Sequence, residues 1–364
     1  MKKNKSPGLD GIPYEFYETF WDVIGPHFLA MVHHVLERGA VLQSQGKAAV
    51  RLIPKVPNPV KITDYRPISL LNTDYKTLAA VLAARLRRTL PTTLRNHQKG
   101  GVPGRCIFDS LCLFRDAIGH IKTASQAKVP RQGAIISFDL EKAYDLVNRE
   151  VLWKIMREMG YPDEFLRWLG AMYASTQLCP LNGSSIVSTI DDVQSVRQGC
   201  PLSIHLFALY IEPLLVKLSD ELTGIDIYGH KVAVRAFVDD LVVFASSSRD
   251  IKLACDFVEL FCRWTKSRVN KNKTKVLGLG DWACSTTAPQ GGQPAARKNK
   301  RPVRQPMFTA REVLKRDRSY TIHQQSVSES GPCHGSSRSR ALSFWEFTSK
   351  PTSLSQHETH GTKK

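Results

Sequence analysis

The eight cysteines of this 364-residue chain form no Cys-x-x-Cys pair and show no Cys/His spacing of a zinc ligand set. Disulfide-stapled secreted folds and recognisable zinc modules are thereby set aside, and reduced thiols in an intracellular protein, of nucleus or cytoplasm, are expected. No run of 18 apolar residues occurs, so no transmembrane helix and no membrane partner are expected. No secretory leader is visible either, because Met1-Lys2-Lys3-Asn4-Lys5 gives way to Ser6-Pro7-Gly8 and not to an apolar segment. Internal repeats are absent, and nothing marks a protein partner.

Acidic residues are in short supply. Against 51 Lys and Arg stand 33 Asp and Glu, which leaves a formal charge of +18 and a pI near 9.6. Such an excess favours a polyanionic partner: nucleic acid or, with less support, an anionic membrane surface. The excess is uneven. From Ala283 onward there are 14 basic and 5 acidic residues, so that tail carries +9 and the first 282 residues carry the other +9. The tail, 283–364, is rich in Ser, Thr, Gln, Pro, Gly and Arg, lacks sustained periodicity and reads as disordered. Its cluster Arg297-Lys298-Asn299-Lys300-Arg301 has the composition of a nuclear signal. Overall hydrophobic content of 42% is enough for a core in one large domain or two smaller ones.

What is present, and unusual, is acid inside apolar strands. Ala236-Phe237-Val238-Asp239-Asp240-Leu241-Val242-Val243-Phe244 reads as two short β-strands with both aspartates at or beside the turn. Ionised carboxylates in so hydrophobic a setting need a partner to offset desolvation, and a divalent cation is one; a solvated hairpin tip is the other reading. Far upstream, Ala134-Ile135-Ile136-Ser137-Phe138-Asp139 is another apolar strand that ends in an acid. If these strands are neighbours, three carboxylates meet on one sheet edge and can hold two Mg²⁺ ions, as phosphoryl-transfer enzymes do.

Further strings have definite character. Lys5-Ser6-Pro7-Gly8-Leu9-Asp10-Gly11-Ile12-Pro13 is turn-rich and leads to helices at Tyr14–Trp21 and Pro26–Arg38. Ala48–Lys55 reads as a strand, and the loop after it is bracketed by Lys55 and Arg66, in Arg66-Pro67-Ile68-Ser69-Leu70-Leu71-Asn72. Such a basic pair either holds a triphosphate or is simply solvated. Tyr75–Leu90 is helical. Gln98-Lys99-Gly100-Gly101-Val102-Pro103-Gly104-Arg105 is a glycine-rich turn before another helix, where backbone can approach a nucleic acid strand closely and Arg105 can meet a phosphate. Helices follow at 150–160 and 163–175, then a hairpin at 181–196 turning at Asn182-Gly183. Arg197-Gln198-Gly199-Cys200-Pro201-Leu202-Ser203 leads into an apolar helix, and a long helix spans Arg249–Arg268.

Taken in order, Phe138-Asp139-Leu140-Glu141-Lys142-Ala143-Tyr144-Asp145, the Arg197–Ser203 string and Phe237-Val238-Asp239-Asp240 resemble the palm motifs of reverse transcriptases. The likeness is to LINE-type non-LTR retrotransposons and covers about Lys5 to Trp282. It implies an α+β right-hand polymerase, fingers and palm, with an antiparallel palm sheet flanked by helices in residues 1–282; no thumb or endonuclease is visible. It further implies an RNA-directed DNA polymerase that takes an RNA template, a DNA primer and dNTPs, with Asp139, Asp239 and Asp240 on two Mg²⁺ ions (Mn²⁺ as a substitute). Arg66, Lys55 and Lys273 of Asn270-Lys271-Asn272-Lys273-Thr274-Lys275 are implied at the nucleotide's phosphates. Tyr144 is implied under the sugar as a guard against 2′-hydroxyls, Gln198 and Gly199 at the template base and nascent pair, and Gly104 and Arg105 at the nucleic acid. Two departures stand out: Val238 replaces the usual alanine, and Lys266-Ser267-Arg268 stands where a glycine is usual. The rival reading is a truncated remnant that binds RNA or primer-template without polymerising. A two-carboxylate nuclease gives no reason for the Arg66 and Arg197 strings.

Overall fold

The computed structural model describes residues 3–126, 132–192, 194–280 and 282; the expected disorder of 283–364 and its basic cluster fall outside the described residues. The N-terminal part is built of α1 (Tyr14–Thr19), α2 (Trp21–Arg38), the single turn α3 (Gln43–Gly46), β1 (Lys47–Pro54), β2 (Tyr65–Leu71), α4 (Thr73–Thr93) and α5 (Ile107–Gln126). Then come β3 (Gln132–Phe138), α6 (Arg149–Glu158), α7 (Asp163–Tyr173), β4 (Gln177–Asn182), β5 (Ser185–Ile186) and β6 (Ile190–Asp191). The last part holds α8 (Ser203–Glu221), β7 (Ile225–Ile227), β8 (His230–Val232), β9 (Val234–Phe237), β10 (Asp240–Ala245), α9 (Ser248–Thr265) and β11 (Lys275–Gly280). Among the described residues no helix is long and apolar enough to cross a membrane.

Two sheets carry the architecture. The palm sheet has the order β11-β3-β10-β9, every pair antiparallel. The fingers sheet runs β2-β1-β4-β5, with β6 also on β4; it is mixed, because β1 and β4 are parallel. Strand β3 has buried residues at Gly133, Ala134, Ile135 and Ile136 in succession, the continuous pattern of a strand covered on both faces. One cover is α5 with the β7–β8 hairpin, whose Ala117, Ile121, Ile225, Ile227 and Val232 pack with Ile135, Phe244 and Leu279. The other is α8, apolar nearly all round, as a central helix must be. It is buried from Leu206 to Val216 and packs on α4, α6, α9 and β9.

Three sequence expectations shift. The second helix starts at Trp21, so Pro26 lies inside it and gives up one backbone hydrogen bond. The 181–196 hairpin turns at Gly183-Ser184, with Leu181 opposite Ile186 and Gly183 at φ 61°. Its first strand begins at Gln177, pulled into the fingers sheet by pairing with Lys47–Val50. Helix α9 stops at Thr265, and Lys266 occupies its left-handed C-cap at φ 57°. That conformation explains why a glycine suits this stretch: without a Cβ it carries no steric penalty there.

Glu212 of α8 is buried at 2% exposure; its Oε1 accepts the Arg95 backbone N–H at 2.7 Å while Oε2 has no partner. Burial pushes its carboxyl up from 4.5 to about 8. The folded state therefore keeps a proton that the unfolded state releases, so this group's contribution falls as pH rises from about 4.5 to about 8 and is flat above. Glu212→Gln should remove that slope: between pH 5.5 and 8.5 its Tm should gain on the wild type by the equivalent of a few kcal/mol, about 2–4 °C for each 1 kcal/mol. Parallel Tm curves would refute the assignment. At the α9 cap, Lys266→Gly should stabilise the fold by about 1 kcal/mol, read as a higher urea midpoint at unchanged m-value.

Candidate active site

The site begins with strand register. Leu241 of β10 lies opposite Phe138 of β3, so Asp139, one residue past β3, and Asp240, first residue of β10, stand at the same end of adjacent strands. Asp240 in turn opposes Phe237, which closes β9 and β10 with the two-residue loop Val238-Asp239. Asp139 and the adjacent pair Asp239-Asp240, far apart in sequence, thus share one edge of the palm sheet.

Their electrostatics follow from this placement. Asp139 and Asp239 are half-buried and Asp240 is exposed. Burial first, and then the charges of Asp240 and Asp139, raise the Asp239 carboxyl above its ordinary value, while Arg66 pulls it back. Arg66 comes from the fingers: it is exposed on β2, opposite Ile53. Among the described residues no three His, Cys, Asp or Glu side chains are gathered into a preformed metal cluster. The three aspartates nevertheless offer hard oxygen donors whose mutual repulsion a divalent cation relieves, so the donor set fits such an ion.

The other expected residues sort into two groups. Tyr144 is with the acids: burial and then the charge of Asp239 raise its phenol above its ordinary value, and its ring stacks on Phe207 at 5.1 Å. Lys273 belongs to a turn tied to Asp139. Asn270 N–H donates to Asp139 O at 2.8 Å, and Lys273 N–H donates to Asn270 Oδ1 at 3.2 Å, leaving the Lys273 side chain exposed. Gln198 and Gly199 lie against β2, where Ser69 N–H donates to Gln198 O at 3.0 Å. Gly199, at φ 109°, has no room for a side chain, since a Cβ would stand 2.6 Å from Ser69 O.

Lys55, Gly104 and Arg105 are placed differently. Lys55 lies at the base of the β1–β2 loop, its Nζ donating to Thr63 O at 3.1 Å. Gly104, at φ 74°, faces open space. Arg105 has both terminal nitrogens committed to backbone: Nη1 donates to Arg95 O and Gln98 O, Nη2 to Pro91 O and Leu94 O. It caps the carbonyl end of α4. Val238 is turned inward at 6% exposure, and a Cβ on Gly100 would lie 2.4 Å from its Cγ2.

Residues that motif reading passed over hold the frame. Arg197, fully buried, donates to Asp192 Oδ2 at 3.3 Å and to Gly46 O, and lies 5.4 Å from the Tyr75 ring centre. Arg149 meets the same Asp192 carboxylate at 2.8 Å and donates to the carbonyls of Tyr173, Asp192, Gln194 and Ser195. The only sequence signal was the arginine heading the Arg197–Ser203 string. Asp192 carried none.

With this geometry in view, likeness to known proteins is specific. The model of the reverse transcriptase (RNA-dependent DNA polymerase) family matches residues 53–308, past Trp282 and into the basic tail. The transposon TX1 uncharacterized 149 kDa protein of Xenopus laevis is 34% identical over 279 residues, which is 76% of this chain and 21% of that protein. The retrovirus-related Pol polyprotein from type-2 retrotransposable element R2DM of Drosophila melanogaster is 27% identical over 277 residues, 76% of this chain and 25% of that one. Among solved structures, apo telomerase from Candida tropicalis truncated from its C-terminal domain aligns at a TM-score of 0.46 and 15% identity, over 66% of this chain and 51% of that chain. The chain spans about a fifth to a quarter of the length of these transposon relatives. Its motifs, its palm sheet and this match together make the chain a member of the reverse transcriptase family, among the LINE-type non-LTR retroelements.

Proposed function

We propose that this domain transfers deoxynucleotides to a primer 3′-hydroxyl under the direction of an RNA template. The observation that carries the reading is the strand register that sets Asp139, Asp239 and Asp240 on one palm edge, where the charge of Arg66 from the fingers reaches Asp239. Asp139, Asp239 and Asp240 would hold divalent cations, Mg²⁺ or Mn²⁺. The chemistry such ions supply when bound is a lower pKa for the attacking hydroxyl and neutralisation of charge on the pyrophosphate leaving group.

The chain's own residues do the rest. Arg66, with Lys273 in support, steadies the triphosphate; both are exposed and both belong to segments tied to the acids or facing them. Lys55, at the loop base, adds positive potential. Tyr144 stacks on Phe207 beside Asp239 and so presents a fixed surface to the sugar, which favours a deoxyribose. Gln198-Gly199, held on β2, supports the templating base. Gly104 keeps the adjacent surface free of side chains for a nucleic acid strand, while Arg105 serves it from behind by shaping the loop. The domain's positive charge adds a sequence-independent attraction to the backbone.

The test is primer extension on an RNA template with dNTPs and Mg²⁺. The wild type should extend, and Asp239→Asn/Asp240→Asn should lose on the order of a thousandfold or more in rate. A wild type that fails to extend, yet binds primer-template in a salt-sensitive way, would instead make this chain a nucleic acid-binding remnant.

A further inference from the structure

The hairpin that carries Asp239 and Asp240 is built on a residue unsuited to it. Val238, at φ 60°, is β-branched and left-handed at the first central position of a two-residue loop, where glycine is the favoured residue. Such a conformation costs about 1–2 kcal/mol and persists only where the surroundings over-determine it. Here one side chain, on a segment paired to β9, meets both polar atoms of the turn. His97 to Lys99 run along the free edge of β9: Ala236 N–H donates to His97 O at 2.9 Å, and Lys99 N–H donates to Ala236 O at 2.8 Å. That parallel bridge places Gln98, at 0% exposure, behind the turn.

The Gln98 carboxamide reaches both polar atoms of Val238. Its Oε1 accepts Val238 N–H at 2.8 Å and Gly100 N–H at 2.9 Å, and its Nε2 donates to Val238 O at 3.2 Å. The orientation of the amide is forced, because the reverse would set an NH₂ against two N–H donors. One planar group therefore fixes the amides on both sides of Val238, and with them the direction in which the chain leaves for Asp239. Gly100 completes the arrangement: a Cβ there would lie 2.6 Å from the Val238 nitrogen.

We propose that Gln98 is a positioning residue for the active site, holding Val238 in its left-handed conformation so that Asp239 and Asp240 are aimed at their cations. The inference rests on the polymerase reading of those acids. It separates hydrogen bonding from packing. Gln98→Met keeps size and burial but removes all three hydrogen bonds. Gln98→Glu keeps the acceptor and sets an oxygen against Val238 O.

Mn²⁺ affinity of the full chain, measured by electron paramagnetic resonance at a temperature well below every variant's Tm, reads the site without turnover. Gln98→Met should weaken Mn²⁺ binding about 10–100-fold and lower kcat by a similar factor at nearly unchanged dNTP KM, with Gln98→Glu no better. Leu152→Ala, a buried truncation in α6 that touches none of the Gln98 hydrogen bonds, serves as the stability control and should lower Tm while keeping Mn²⁺ affinity and kcat. Wild-type Mn²⁺ affinity in Gln98→Met would overturn the inference, as would loss of affinity in Leu152→Ala in proportion to its Tm. A wild type that binds Mn²⁺ and extends primers while Gln98→Met does both equally well overturns the positioning role alone. A wild type that neither binds Mn²⁺ nor extends overturns the polymerase reading, and this inference with it.

Discussion

The pairing of β10 against β3 is the interaction on which the candidate site depends. It joins two strands a hundred residues apart in the chain, and its register, Leu241 against Phe138, decides that the acids emerge at one end. A slip of a single residue would turn every side chain of β10 to the opposite face and separate Asp240 from Asp139. Burial on both faces of the sheet protects that register: α8 covers one side, and α5 with the β7–β8 hairpin covers the other. Apolar packing thus does the electrostatic work of holding like charges together.

A second constraint is that fingers and palm must meet for the charge of Arg66 to reach Asp239. One contact is made by backbone, Ser69 N–H to Gln198 O, and Gly199 lets the two segments approach. Behind it, Arg149 and Arg197 converge on the single carboxylate of Asp192 and on surrounding carbonyls. Breaking so buried a set by removing one partner is expensive, typically about 3–5 kcal/mol, whereas the intact set adds little net stability. The two guanidinium groups tie α3, α4, α6, the segment after β6 and the loop before α8 to one another.

Left-handed non-glycine residues occur at several turns among the described residues, Ser195 and Tyr228 included, and two of them bear on the acids. Left-handed Val238 and Lys266 are both non-glycine residues in glycine's conformation, one at the aspartate turn and one at the helix end that leads back to Asp139. At Val238 a buried amide and a glycine approach from the neighbouring segment hold the backbone in place. Lys266, exposed, stands at the end of α9.

Much of this was legible beforehand. Alternation and apolar runs marked β3, β9 and β10 with their acids at the ends, and period and punctuation marked α4, α6, α7 and α8, because burial of one face leaves a local trace in sequence. The shifts at Trp21 and Gly183 are small and local, a proline accommodated and a turn displaced by pairing. What no local pattern carried was partnership. Arg105 looks in sequence like a phosphate ligand and in the fold caps α4; Gln98 looks like the start of a turn and in the fold clamps a hairpin 140 residues away. Asp192, within the expected 181–196 hairpin and without a signal of its own, becomes the counter-charge of two buried arginines. The sequence by itself determined which residues are acidic, where strands and helices run and which family they belong to, since these depend on residue type and short spacing. Only the tertiary structure decided what each polar side chain bonds to, because a hydrogen bond needs its partner within about 3 Å, and that distance is set by the packing of the whole sheet.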